Sequence, residues 1–416
     1  MIVEQADTDV ATRQLWSHTV AIADDRAAEV MTAGELCWLA PTVELAGWGE
    51  ALRIPVDGVD ARDGAAATVA RHLSQIAGDA STPGPVAFAS LAFDPHSPGS
   101  VLVVPRTTVR RSGGRAWLTV VDDRPIAAGD LHVPSAPRPS EPTGRVRYAG
   151  ATAAEIAWIE AVDRAVRRIR AGDIEKVVLA RDRVVSSDRA FDLPRILGRL
   201  RERFSSCYTF RVDGLIGASP ELLIRRDGAD ISSLVLAGTA RRGATAEEDH
   251  RIGAQLLSSA KDLAEHRPAV ASVRATLGPL VSDLDIEEQP HLLRLANVQH
   301  LATRVTGRLH TPADALALAV RLHPTAAVGG TPTDRALQVI AELETIDRAR
   351  YAGPVGWVDA SGDGEFAIAL RCAQFDGTTA RLFAGGGIVA DSLPEAELEE
   401  TRLKLRAMQA ALGDDA

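Results

Sequence analysis

Several residues in this 416-residue chain have types and spacings that suit chemistry. Glu397 and Glu400 lie three apart in a helix-like segment that runs on to Lys404, so the two acids share one helix face. Like charges on one face repel unless a cation binds between them or water screens them. Magnesium takes a few carboxylates, several waters and an anionic substrate oxygen. A site built from Glu265 and Glu400 would satisfy it, and a solvated acidic face is the plain alternative. Lys176 stands where a helix gives way to the apolar run KVVLA. Desolvation would make it a usable base, whereas a strand-end lysine that reaches water would be inert. Glu221 follows Ser219–Pro220, and the residue before a proline is held extended, so Glu221 begins a strand with its side chain aimed. Buried, it would serve as a general acid; exposed, it is an ordinary strand-entry glutamate. Arg371 sits inside the apolar strand FAIALRCAQ, where a guanidinium needs a partner and a ligand carboxylate fits its fork. Gly385–Gly386–Gly387 reads as a turn after a strand, bringing backbone N–H groups to a carboxylate. It matches neither GxGxxG nor the P-loop. His300 and His323 read first as core or turn histidines.

These residues need elements to hold them. Residues 1–150 carry strand signals at Gly84–Phe93, Ser100–Pro105 and Ala116–Val121 and helical spacing over Ala65–Ile76. Pro134, Pro137, Pro139 and Pro142 make 134–144 extended, as a linker or a long loop. Thr152 and Glu155 then spell a capping box for a helix through Ile169 with Gly172 closing it. Strands follow at Lys176–Ala180, Tyr208–Val212, Leu215–Gly217, Glu221–Arg225 and Ile231–Leu236, the last running into a turn at Gly238. Helices are expected near 194–203, over one long stretch Glu247–Leu277, near 312–322 and over Arg335–Glu344. A β-like run holds His300. Two more strands, Glu365–Phe375 and Ala380–Phe383, lead to the glycines and the acidic helix. There is no regular βαβ rhythm and no repeat of fixed period, which favours a large mixed sheet with helices outside.

The formal charge is −10, which argues against nucleic acid or an anionic membrane as the main partner. Cys37, Cys207 and Cys372 are widely spaced and suggest neither a disulfide framework nor a zinc site. The start MIVEQADTDV has no basic, apolar leader pattern, and no run of about 18 apolar residues would span a membrane, so a cytoplasmic globular enzyme is expected.

Taken together and in order, these stretches resemble the chorismate-utilising enzymes, and most closely the isochorismate synthases. The resemblance is carried by Lys176–Arg181 (KVVLAR), Gly217–Ile224 (GASPELLI), Leu236–Arg242 (LAGTARR), Lys261–His266 (KDLAEH), His300–Thr303 (HLAT), Leu322–Pro332 (LHPTAAVGGTP), Val339–Asp347 (VIAELETID) and nearly all of 351–408. It is strong from about 150 onward and weak over 1–150. It implies an α/β fold of the α+β kind, a large chorismate-binding-enzyme fold with two packed, mostly antiparallel β-sheets flanked by helices. One domain over 1–416 is expected, with its chorismate-binding core at 151–410.

The resemblance also implies roles. Lys176 looks like the base that activates water for attack at C2 of chorismate, and Glu221 like the acid that protonates the departing C4 hydroxyl. Glu265 and Glu400 match ligands of Mg²⁺, with Glu397 nearby through water. Arg371, Tyr351 and the Gly385 backbone match positions that hold the enolpyruvyl carboxylate. Lys404 matches a cation near the ring carboxylate, and His300 a histidine close to the ring, grouped with the catalytic set. Ala237, with Gly238 and Thr239, lies where aminodeoxychorismate synthases carry a nucleophilic lysine, and alanine leaves room for water. Enzymes that add ammonia usually have glutamine where Lys176 stands. Salicylate synthases tend to have threonine at the position of Ala327. Val328, Gly329 and Arg267–Pro268 depart from the usual pattern and touch pocket shape. The expectation is therefore a Mg²⁺-dependent isochorismate synthase serving menaquinone or catecholate siderophore synthesis. A salicylate synthase and an inactive metabolite binder stand as alternatives. Chorismate is the expected small-molecule partner, with no nucleic acid, membrane or glutaminase subunit, in a monomer or weak dimer.

Overall fold

The apolar and alternating runs form strands, and every pairing among the described strands is antiparallel. The structure is a computed structural model that describes residues 14–76, 83–135, 144–152 and 154–413. The first ten residues and Pro137, Pro139 and Pro142 lie outside the described residues.

From the strand Val101–Ser112 the pairing network branches into two sheets. One runs through Val86–Ser90, Pro354–Asp359, Gly364–Ile368, Leu222–Asp227 and Asp230–Arg241 to Val298–Leu309. The other runs through Glu44–Pro55, Leu36–Leu39, Tyr208–Val212, Leu215–Ser219, Cys372–Asp376 and Thr379–Ile388 to Lys176–Ser187. Strands before residue 150 therefore pair directly with strands beyond 200 in both sheets. The sheets face each other across an apolar cluster that includes Trp38 and Phe210 from one and Phe88 and Phe366 from the other. An acid set into this layer is satisfied: buried Glu365 accepts from Trp38 Nε1 at 2.8 Å and from the Thr42 hydroxyl. Helices cover the outside, as the mixed helix and antiparallel-sheet expectation requires.

One ribbon crosses between the layers. Leu215–Ser219 pairs with Cys372–Asp376 in the second sheet, and their continuations Leu222–Asp227 and Gly364–Ile368 pair in the first. Both chains bend at the crossing. Pro220–Glu221 lies on one, and Leu370–Arg371 on the other. Ile368 N–H donates to Glu221 O at 3.2 Å and Ala218 N–H to Arg371 O at 3.3 Å, which ties the bends together.

Five local expectations are corrected. The strand expected over Glu365–Phe375 is two strands, because Arg371 takes φ 49° at the bend and cannot continue a pleat. The glycine triplet is no turn: it lies within Thr379–Ile388, paired residue by residue with Ala180, Leu179 and Val178. Gly238 is no turn either. At φ 83° it makes a β-bulge in Asp230–Arg241, and the register shifts between Ala237 and Thr239. The long helix splits into Ala246–Ser258 and Ala260–Leu277, because Ser259 is extended and its hydroxyl accepts from Asp262 N–H at 3.2 Å. The capping box does not form. Thr152 gives its N–H (2.9 Å) and hydroxyl to the buried Asp182, and Glu155 pairs with Arg181 and Arg402. A buried carboxylate needs donors more than a helix end at the surface does.

Candidate active site

The crossing ribbon puts Glu221 and Arg371 on the wall of one cavity. Ala237, Gly238 and Thr239 join from the bulged strand, His300 from its neighbour Val298–Leu309, Gly385 from the glycine strand and Lys404 from the helix Pro394–Leu412. Glu265, Ala327 and Tyr351 complete the expected set on this wall. Lys176, Glu397 and Glu400 are not on the wall; they stand behind it. Val178, Leu370 and Arg348 line it without having been singled out in the sequence.

Lys176 opens its strand and is fully buried, so the water-seeking alternative is gone. Gly330–Thr331 pairs with it on one side, and Thr379–Ile388 reaches its neighbour Val177 on the other. The Lys176 amine donates to Glu265 O at 3.1 Å and lies 3.5 Å from Glu265 Oε1. Glu221 is 4% exposed, and burial, the largest influence, pushes its carboxyl up to about 8 despite the nearby charges of Lys176, Arg371 and Lys404. At neutral pH this group carries a proton. A buried strand entry, not an exposed one, is what Ser219–Pro220 produces.

Arg371 is buried, and its Nε–H has no partner among the described residues. Its Nη2 donates to His300 Nε2 at 3.0 Å. A guanidinium only donates, so Nε2 of His300 is the acceptor and Nδ1 carries the hydrogen toward Thr239 Oγ1 at 3.1 Å. Burial, and then the Arg371 charge, hold His300 well below the usual histidine range. With both nitrogens engaged, His300 orients Arg371. Tyr351 stacks on Phe383 with ring centroids 5.2 Å apart. His266 supports the bulge from the next helix: Nδ1–H donates to Ala237 O at 3.1 Å, and Nε2 accepts from Thr303 Oγ1 at 2.7 Å. It falls in the KDLAEH stretch, but histidine in a helix gave no sign of that duty.

The acids converge on the glycine strand. A side chain at Gly387 would collide with Glu265 Oε1, and one at Gly386 would stand 3.4 Å from Glu397 Oε2 and 4.0 Å from Glu400 Oε1. Each acid has a lysine: Lys176 for Glu265, Lys261 for Glu397 at 2.9 Å and Lys404 for Glu400 at 2.6 Å. Glu397 also accepts from Ser392 Oγ at 2.8 Å. Burial raises the Glu265 carboxyl, Lys176 opposes that, and Glu400 adds to it. Local spacing could not point to Lys261, because its acid is 136 residues away. The Gly385 carbonyl accepts from Lys404 Nζ at 2.8 Å.

A family model described as chorismate binding enzyme matches residues 29–413. The chain belongs to the chorismate-binding enzyme family. It is 36% identical over 358 residues to the isochorismate synthase MenF of Bacillus subtilis, covering 80% of this chain and 75% of that one. It is 41% identical over 266 residues to the isochorismate synthase DhbC of the same organism, covering 61% and 67%. Among solved structures, the putative 2,3-dihydroxybenzoate-specific isochorismate synthase DhbC of Bacillus anthracis superposes with TM-score 0.79 at 32% identity, over 95% of this chain and 100% of that one. The menaquinone-specific isochorismate synthase MenF of Escherichia coli gives TM-score 0.79 at 25% identity, over 96% and 94%.

In this chorismate-binding enzyme the donor set fits a hard dication in part. Among the described residues no three acidic, histidine or cysteine side chains form a ready cage. Two or three carboxylates over bare glycine backbone suit an ion that keeps waters and takes a ligand oxygen. The bare backbone is itself testable. Gly387→Ala drives a methyl into the Glu265 carboxylate, so if these acids hold Mg²⁺ as the resemblance implies, the affinity measured by calorimetry should fall sharply. A variant with unchanged affinity would show that Glu265 does not hold the ion there.

Proposed function

We propose that this enzyme is an isochorismate synthase, converting chorismate reversibly to isochorismate in the cytoplasm. The carrying observation is Glu221, a buried carboxyl on the cavity wall that stays protonated to about pH 8, close enough to Lys176 to feel its charge. An acid–base pair of this kind has no use in a mere binder. The names of the relatives support the same reading.

In this reading Lys176 has released its own proton to solvent before turnover, as a dication held by Glu265 would favour, and the neutral amine then accepts a proton from water as the water oxygen bonds to C2. The ring double bonds shift, the C4–oxygen bond breaks, and the departing hydroxyl takes the proton of Glu221 and leaves as water. Atoms balance as an isomerisation. Arg371, held by His300, turns its free Nε–H toward the enolpyruvyl carboxylate beside Tyr351, and Lys404 stands near the ring carboxylate. Glu265 and Glu400 would hold Mg²⁺, with Glu397 behind, and the ion would offset the charge of the ring carboxylate. Ala237 leaves space for water. Ala327 on the cavity wall favours release of isochorismate over pyruvate elimination. The product would feed menaquinone or catecholate siderophore synthesis, in line with menaquinone-specific and vibriobactin-specific relatives.

Incubation with chorismate and Mg²⁺ near neutral pH should yield isochorismate as the main product. Salicylate with pyruvate, or anthranilate when ammonium is added, would replace this reading with another member of the family. No turnover at all would favour an inactive binder.

A further inference from the structure

A second cavity, of about 820 Å³, opens between the helix Val59–Gln75, the segment 93–97 and the helix Thr333–Leu343. Small-molecule sites span roughly 300–1,000 Å³ and are mostly apolar with a few polar groups. Here the walls include Phe93, Leu337, Ile340 and Ile346, and Arg62 also lines the cavity. Arg62 is 5% exposed. Its Nη1 donates to Ala92 O at 2.9 Å and its Nη2 to His323 Nδ1 at 2.7 Å. Both acceptors are neutral. His323 gives its Nε2–H to Ala352 O at 2.9 Å, which leaves Nδ1 a bare lone pair, and burial and then Arg62 hold the ring far below its usual range.

No carboxylate pairs with Arg62 among the described residues; Asp63 and Asp94 act on it only through space. The other guanidinium on this cavity is treated differently. Arg348 is paired with Glu344 at 2.5 Å and gives further N–H groups to Val328 O and Val178 O. A buried cation without a counter-ion is costly, and a ligand carboxylate would supply one through charge-assisted hydrogen bonds. The acids Asp94 and Asp347 are exposed, and each already accepts from local donors, His96 N–H for the first and Ser97 Oγ and Ala349 N–H for the second. They disfavour a second negative group near the opening.

We propose that this cavity is a second small-molecule site, which takes a compact apolar monocarboxylic acid with its carboxylate on Arg62 and its ring or chain against Phe93, Leu337 and Ile340. The site is separate from the reaction proposed above but adjoins it. Arg348 lines both cavities, and Ala352, held by His323, lines the catalytic one.

The probes are 2-naphthoate and its uncharged analogue 2-(hydroxymethyl)naphthalene, titrated calorimetrically into the full chain. Naphthoate should bind with millimolar or better affinity, and roughly tenfold or more tighter than the alcohol, as expected for a charge-assisted hydrogen bond. Arg62→Gln should erase that difference and Arg62→Lys should keep part of it. Leu337→Trp, which fills the cavity, should block both probes and carries the test if Arg62→Gln does not fold. Arg371→Met, which alters only the catalytic cavity, should leave naphthoate affinity unchanged. Absence of binding at millimolar concentration, equal affinity for acid and alcohol, or binding lost in Arg371→Met and retained in Arg62→Gln would each overturn the proposal.

Discussion

Glu221→Gln lowers kcat by roughly 10²–10⁴-fold, the usual contribution of a positioned general acid, and at the same time makes the protein more stable at alkaline pH. Both effects follow from burial. The wild-type carboxyl holds its proton to about pH 8 in the folded chain, against a reference of 4.5. Between those values the folded state binds the extra proton, so the wild type loses stability as pH rises through that window and has paid the full penalty above it. The amide has nearly the same shape and does not titrate. The Tm of Glu221→Gln relative to wild type should therefore climb from pH 5 to pH 9, and a flat difference would mean the carboxyl is ionised in the folded protein. In the wild type, kcat should fall as pH rises through 8, because the acid arm loses its proton.

Lys176→Ala reduces turnover to the detection limit without unfolding the protein. The amine is fully buried, and its contacts are Glu265 O and the Glu265 carboxylate. Removing it leaves Glu265 without its cation, so some stability is lost through an unpaired buried acid and a small cavity. Lys176→Gln separates the roles, since an amide can still donate to Glu265 O but cannot take a proton from water. It should recover most of the Tm and none of the rate. Calorimetric Mg²⁺ binding should persist in both variants, because removing a neighbouring cation favours a dication at Glu265. Full activity in Lys176→Gln would remove Lys176 as the base, and loss of Mg²⁺ binding would recast it as a support for the metal site.

Much of the fold was legible in local patterns. Apolar runs marked most strands, and helical spacing marked the main helices. What local pattern cannot report is a backbone that changes direction inside an apolar run. FAIALRCAQ looks continuous, yet Arg371 takes a positive φ so that its ribbon can pass from one sheet to the other. The glycine triplet misled in the opposite sense. Glycine signals a turn when conformation is the reason for it, but here the reason is space: Glu265, Glu397 and Glu400 close onto a strand that has no side chains. The candidate site residues, assembled through resemblance, lie on one cavity wall or directly behind it. The partners that hold them were not foreseen. Lys261 for Glu397, His266 for the Ala237 carbonyl and Trp38 for Glu365 are pairs separated by 136, 29 and 327 residues, and no spacing rule reaches across such distances.

The central claim is that water enters at C2 while the C4 hydroxyl leaves, with Lys176 and Glu221 moving the protons. It is tested most directly by running the reaction in H₂¹⁸O and locating the label at early times by mass spectrometry and NMR. The account predicts one ¹⁸O in isochorismate, on the C2 hydroxyl. Isochorismate formed without label, its hydroxyl having migrated within the ring, would contradict it.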